Sequence, residues 1–404
     1  MRWAWLLLAG ATMPALAQSD LPPAELAARA LDAQPTVEAA VARVAAARAE
    51  GDAMRIGPHE ITAQGTASRR SIEQGDRFAE YDATISRPFR LPGKAALDRR
   101  AGALGVEIAQ DRMEDVRHHA ALTLGSLWYD WLLATELHRN ADALVQTQQA
   151  LVDGTRRRVR ARDAAELDLQ QAEAALALAQ AQRGDAAAMR DRARALLASR
   201  FPDLPLPIEP PSILAPVASA EELSELQMLI VERSHEIAAA SGEAARESVL
   251  AQRARADRIA DPSLGVRLFS ERGGEERGAG LFVSLPLGGG HRRAVARRAE
   301  AQASAAQSEL TAVEREIIGD AAADVAEYRA RHTAWEASRD AVSRAEQSAA
   351  LAARGQQLGA IDLADRLYAD RQANEARAQE LTARAAAARL ILKLRIDSHM
   401  LWMD

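Results

Sequence analysis

Two periods of apolar residues alternate along this chain. Ile61, Ala63, Gly65 and Ala67 are small or apolar, with polar Thr62, Gln64, Thr66 and Ser68 between them. A period of two predicts a strand with two unlike faces. After the polar stretch SIEQGDRFAE, Tyr81, Ala83 and Ile85 alternate with Asp82, Thr84 and Ser86, which completes a β-hairpin over about residues 60–90. From Lys94 to Arg200 the period changes. Leu97, Ala101, Leu104 and Ile108 are spaced four, three, four, the repeat of a coiled-coil seam. No Pro interrupts this stretch before Pro202. The spacing predicts an antiparallel helix pair with a tight turn near Arg160, the first helix about 100 Å long at 1.5 Å per residue.

The same order then returns. Leu21 to about Ala53 reads as a helix before the first hairpin, and residues 218–256 read as a helix before the second. Leu264, Val266 and Leu268 alternate with Ser263, Gly265 and Arg267, and LFVSLPL follows a polar turn, predicting a hairpin over about residues 262–287. Ala299, Ala303, Ala306, Leu310, Val313 and Ile317 resume the four–three spacing in a second Pro-free helical stretch. The two strand ends, ISRPFRLPGK and VSLPLGGGHR, superpose at a shift of 198 residues, which aligns Ser86 with Ser284 and Pro88 with Pro286. A shift of 197 aligns Asp168 with Asp365. Matched Ser-x-Pro signals before helices of matched length identify an internal duplication. Pro88 and Pro286 are expected to end strand pairing, since Pro cannot donate to a ladder. Gly93 and Gly288 are expected to redirect the chain into the helix.

Between the halves lies FPDLPLPIEPPSILAPV, whose six prolines predict a stiff, extended connector over residues 201–217. The expected organisation is therefore residues 18–200, the connector, and residues 218–404. Residues 1–17 read as a signal peptide: Arg2, an apolar run from Trp3 to Ala11, and Ala15-Leu16-Ala17 before Gln18. Export is the expectation that follows.

Composition narrows the chemistry. Aromatics are 4% and the net charge is −6, with both signs interspersed. No basic tract of the kind that nucleic-acid binding needs is present. The absence of Cys rules out disulfides and thiolate sites. No apolar segment approaches the length of a membrane-spanning helix, so entry into a bilayer would have to use strands. Four strands of nine to eleven residues suit a tilted crossing, yet are too few to close a barrel in one chain. Three copies would supply twelve.

Signal peptide, duplicated helix–hairpin–helical-pair units and Pro-rich connector together resemble the TolC-type outer-membrane efflux proteins, over nearly the whole mature chain. Within that family, LPGKAALDRRAGA is most similar to the heavy-metal resistance branch of the CzcC type. The resemblance implies a mainly α fold, assembled as a homotrimer whose 12-stranded outer-membrane β-barrel continues into a periplasmic α-helical barrel. It implies outer-membrane lipid, a periplasmic adaptor (membrane fusion protein) and an inner-membrane transporter of the RND type as partners, and a passive conduit for heavy-metal cations. Multidrug or type I secretion export is the alternative cargo. A periplasmic adaptor or coiled-coil scaffold is the reading from another class; such a chain would carry one helical hairpin flanked by soluble β-domains. In the family, a helical tip carries a Gly followed six residues later by an Asp. Gly359 and Asp365 match it, while Arg162 stands before Asp168 where the Gly would be. The resemblance makes Asp365 the candidate for an acidic ring at the periplasmic entrance.

No catalytic residue, cofactor or metal ligand is expected. His118-His119 point about 100° apart on a helix, a poor chelate, and the other His residues are isolated in sequence. Glu275-Glu276 reads as a solvated turn, and Gly288–Gly290 lacks the Lys-Ser/Thr of a phosphate loop. Trp128, Tyr129 and Trp131 are expected to pack where the connector wraps the helices.

Overall fold

The structure is a computed structural model that describes residues 20–73 and 75–402; the signal-peptide reading lies outside them. The element order is duplicated. The first half contains α1 (Ala24–Asp32), α2 (Pro35–Ile56), β1 (Thr62–Ser71), β2 (Arg77–Pro88), α3 (Lys94–Arg160) and α4 (Glu166–Arg200). The second contains α5 (Ala220–Glu232), α6 (His235–Ala256), β3 (Ser263–Glu271), β4 (Glu276–Ser284), α7 (Gly290–Gln357) and α8 (Leu363–Asp397). The matched helices have nearly equal lengths: 67 and 68 residues for α3 and α7, and 35 each for α4 and α8.

The single helix expected before each hairpin is two helices. Pro35 occupies the first turn of α2, where its missing N–H is tolerated, but the same ring would break a continuous helix. In the second half Ser234 makes the break: its Oγ accepts from Ile237 N at 3.1 Å and starts α6.

The chain divides into two compact units, each built from both halves. The sheet unit gathers Leu31–Thr123, Ser219–Ala326 and the segment from Leu394 onward. Its four strands form one antiparallel sheet in the order β1-β2-β3-β4. The register stacks like on like: Ala63 opposes Ile85, Ile85 opposes Val266, and Val266 opposes Leu281. The next row is Gly65, Ala83, Leu268 and Ala279. These central rows make an apolar band on one face, and it is open: Ile85 is 57% and Leu281 80% exposed. On the other face Asp82, Thr84 and Ser86 of β2 are half-buried, with Phe269 and Phe282 in the same rows, and Arg267 pairs there with Asp82. A soluble sheet buries its apolar face; this sheet is inverted. In the same unit α2 and α3 meet at Gly51 and Gly102, where a Cβ on Gly102 would fall 2.8 Å from the Gly51 Cα.

The connector unit gathers the segment up to Ala30, Leu124–Ala218 and Glu327–Lys393. Its core holds Trp131, Leu132, Leu197, Phe201, Ile213 and Tyr328, all nearly inaccessible. The Pro-rich connector is pinned through its carbonyls, which is the hydrogen bonding left to a segment short of N–H groups. Arg139 donates to Pro210 O (3.0 Å), Arg384 to Ile213 O (3.2 Å) and Tyr328 Oη to Pro216 O (2.9 Å). Asp20 accepts from Leu214 N (3.0 Å) and from Tyr129 Oη (3.1 Å), and its carbonyl accepts from Trp128 Nε1 (2.7 Å). The aromatic cluster thus meets the connector, with Asp20 as the bridge. No described helix is long and apolar enough to cross a membrane.

Candidate functional site at the joints and helix tips

The two strand-to-helix joints lie in the sheet unit and are unequal. At the first, Gly93 adopts φ +89°, and Lys94 opens α3. Lys94 is 2% exposed, and its Nζ meets Asp257 Oδ1 (2.9 Å), Asp261 Oδ1 (2.8 Å) and Ile259 O (2.8 Å). All three ammonium protons are placed. Asp261 Oδ1 also accepts from Leu91 N at 2.9 Å. Arg90 donates to Met54 O (3.0 Å) and Arg55 O (2.8 Å), the orphan carbonyls ending α2, and to Asp98 Oδ2 (2.8 Å). Arg253 donates to Asp98 Oδ1 at 2.6 Å and pairs with Asp257. A Cβ on Gly57 would strike the Arg90 guanidinium at 2.5 Å, so a side chain there would push Arg90 off the helix end.

Among the described residues the second joint shows no such network. Gly288 adopts φ +94°, α7 begins at Gly290, and Arg292 donates to Pro286 O (3.1 Å). The prolines also differ. Pro286 lies beyond the end of β4, whereas Pro88 still stands opposite Ser263, and Phe89 N donates to Pro262 O at 2.8 Å. Residue 89 donates toward β3, so position 88 would donate toward β1, which ends opposite Ser86. Pro88 loses no ladder bond, and pairing continues past it.

Burial alone would raise the carboxyls of Asp257 and Asp261. Hydrogen bonds from Arg253 and Lys94 to Asp257, and from Lys94, Leu91 and His59 to Asp261, outweigh it and hold both below the usual carboxylate range. Depressed carboxylates stabilise the fold above their ordinary titration range, and that stability is lost as pH falls through the depressed values. Melting temperature should therefore hold from neutral pH to about pH 5 and fall steeply below about pH 4. Melting the Lys94→Ala variant across the same range checks the assignment, since its acid-dependent loss should be smaller.

The helix tips lie in the connector unit and close alike. At the first, Arg162 adopts φ +62°, Asp163 N donates to Arg158 O (2.8 Å) and Arg162 N to Val159 O (2.9 Å). At the second, Gly359 adopts φ +73°, Ala360 N donates to Gly355 O (2.8 Å) and Gly359 N to Gln356 O (3.2 Å). Both are Schellman closures with the left-handed residue just past the helix end. Arg162 takes the glycine's conformation at a steric cost, and Arg158 steadies it by donating to Asp163 Oδ2 at 3.0 Å. Arg162→Gly should raise stability by up to about 1 kcal/mol, read as a higher melting temperature; a lower one would mean that the arginine side chain itself holds the tip.

The aligned acids do different work. Asp168 Oδ2 accepts from Ala165 N (3.2 Å), capping α4, whose N-cap alanine has no side-chain acceptor. At the second tip Asp362 does the capping, accepting from Asp365 N at 2.8 Å, and the Asp365 side chain is exposed. Leu151, Val152, Ala172 and Leu363 pack behind the two turns.

Sequence spacing passed over two groups. One is the joint network, signalled by charges four apart at Arg90, Lys94 and Asp98 and at Asp257 and Asp261. The other is a group of histidines that, beyond the pair His118-His119, are isolated in sequence and meet in space. In the sheet unit His118, His119, His235 and His399 come together beside Asp115. Asp115 stands three and four residues before His118 and His119, the spacing that shares one helical face. The Asp115 carboxylate and its carbonyl, which His119 Nδ1 meets at 2.9 Å, push His119 up to about 9 against the effect of burial. Burial, with His235 and His118 beside it, pushes His399 down to about 4.

No family model matches this sequence. No curated protein matches it either. Solved structures do match the fold across the chain. The outer-membrane channel OprN aligns at TM-score 0.78 and 21% identity, covering 94% of this chain and 90% of its own. The outer-membrane protein VceC of Vibrio cholerae aligns at 0.75 and 18%, covering 93% and 95%. The open state of the MtrE outer-membrane channel of Neisseria gonorrhoeae aligns at 0.74 and 19%, covering 93% and 88%. This chain has the fold of the TolC-type outer-membrane channels: a duplicated protomer whose two hairpins form one sheet, each followed by a long helical pair.

Proposed function

We propose that the chain is the protomer of a homotrimeric outer-membrane exit duct of a tripartite efflux system. The observation that carries this reading is the sheet, whose central apolar rows lie open on one face while Asp82, Thr84 and Ser86 are half-buried on the other. That pattern suits lipid outside and a wet lumen inside. Three four-stranded sheets would close without free edges and give twelve strands. Chain-wide similarity to outer-membrane channels supports the same assignment. The duct works with a periplasmic adaptor and an RND-type inner-membrane transporter that supplies the energy. It is a conduit and not an enzyme, and its expected cargo is a heavy-metal cation.

The location is tested by fractionation. The chain should stay with outer membranes through high-salt and carbonate washes; release into the soluble periplasm would instead favour an adaptor or scaffold. Cargo is tested by deleting the gene and challenging with cobalt, zinc, cadmium or copper. Sensitivity to any of them supports metal export, and sensitivity only to organic compounds favours a multidrug duct. For the entrance, Asp365 is the proposed ring residue, because its side chain is exposed and its neighbour Asp362 performs the capping. Three carboxylates around a pore favour cations. Asp365→Asn should reduce cation preference in planar bilayers, read as a reversal potential closer to zero under a salt gradient; an unchanged value would remove Asp365 from the pore lining.

A further inference from the structure

The histidine group in the sheet unit has no part in the joints or the tips. Asp115, His118 and His119 share one face of α3. His235 opens α6, and His399 lies just past α8 with φ +57°. His399 stacks on His235 at a centroid distance of 4.6 Å and approaches His118 at 5.8 Å. The segment after α8 is held there by Arg233, donating to Ser398 O at 3.2 Å, and Arg117, donating to Trp402 O at 3.0 Å.

Three features of this group suit a bound cation. First, Asp115 Oδ1 is shut off from solvent and faces the imidazole of His119, whose Nδ1 lies 3.1 Å away. Second, His118 is buried and already oriented. Its Nε2 lies 2.9 Å from Asp397 Oδ1, and a proton shared there leaves the Nδ1 lone pair for coordination. Third, one donor atom from each of Asp115, His118 and His119 lies within 4.8 Å of the other two. A tetrahedral zinc shell has donors about 3.3 Å apart, which small side-chain rotations on one helix can reach.

Access and charge agree. His119 is exposed, and Asp115 also lines an open groove of about 620 Å³ beside Arg112, Glu243 and Arg246. Asp397 and Glu236 add negative charge, while Arg112 is paired with Glu243 and Arg117 with Asp32. Two imidazoles and one carboxylate form a borderline donor set, which selects Zn²⁺, Co²⁺, Ni²⁺ or Cu²⁺ over the oxygen-seeking Mg²⁺ and Ca²⁺. We propose that Asp115, His118 and His119 bind one divalent transition-metal ion of the zinc class as a resident site, with its fourth position open to solvent. The site is independent of what the duct carries.

The test uses the full-length chain in detergent, stripped with chelator and titrated with Co²⁺. A tetrahedral ligand-field absorption should saturate at one ion per chain and be displaced by Zn²⁺ but not by Mg²⁺. Asp115→Asn and His119→Ala should each weaken binding about ten-fold or more. His119 is exposed, so its variant should keep the helical circular dichroism and melting temperature of the stripped protein, and its lost binding then reports ligation. His291→Ala, outside the group, should bind as the parent does. Absence of the absorption, or the same affinity in Asp115→Asn and His119→Ala as in the parent, would overturn the site.

Discussion

Lys94→Ala should destabilise the sheet unit by about 2–3 kcal/mol, read as a marked fall in the melting temperature of the detergent-solubilised chain. A fully buried ion pair broken on one side costs about 3–5 kcal/mol. The expected loss is smaller here because Asp257 is 45% exposed and keeps part of its hydration. What is lost is the tie between the first turn of α3 and the segment that follows α6, made by Lys94 to Asp257, Ile259 and Asp261. Adding Asp261→Asn to a Lys94→Met background should recover part of the stability, because it removes one of the carboxylates left without its cation. The matched change at the second joint, Arg292→Ala, should cost little, since among the described residues Arg292 donates only to the nearby carbonyls of Pro286 and Gly288. Equal effects at the two joints would show that the ion network does not hold the first.

Glu380→Ala should weaken the connector unit by about 3 kcal/mol. Glu380 is 2% exposed, accepts from Trp335 Nε1 at 2.8 Å and from Arg384 through both oxygens at 2.9 and 2.8 Å. Arg384 in turn donates to Ile213 O in the connector. Removing the carboxylate leaves a buried indole N–H without this acceptor and a part-buried guanidinium without its counter-charge. The loss stays at about 3 kcal/mol because Arg384 remains 25% exposed. Protease sensitivity between Phe201 and Val217 should rise together with the fall in melting temperature. Glu380→Gln keeps the Trp335 acceptor and should lose less. A connector that stays protected in Glu380→Ala would mean that its other ties suffice.

Much of this molecule was legible in its residue periods. Alternation in Ile61–Ala67 and Leu264–Leu268 named the strands, because side chains in a strand alternate faces. The four–three spacing from Leu97 and from Ala299 named the long helices, and Gly359 marked one tip. The breaks at Pro35 and Ser234 were equally visible as local signals, though the helical texture around them hid both. Arg162 was harder: only the backbone reveals that an arginine takes the same left-handed place as Gly359. The part of LPGKAALDRRAGA that looks most distinctive, Lys94 and Asp98, holds the joint together.

Local pattern determined what each segment is: the strands with unlike faces, the helices of matched length, the Pro-rich connector, and their duplication. These depend on neighbours a few residues apart, which one sequence displays directly. Tertiary structure decided which face of the sheet stays open, which half of the duplication carries the charged joint, and which histidines meet. Those outcomes depend on residues 155 to 285 positions apart, such as Arg253 with Asp98 or Arg117 with Trp402. No period along the chain encodes such pairs; they exist only once packing brings the segments together.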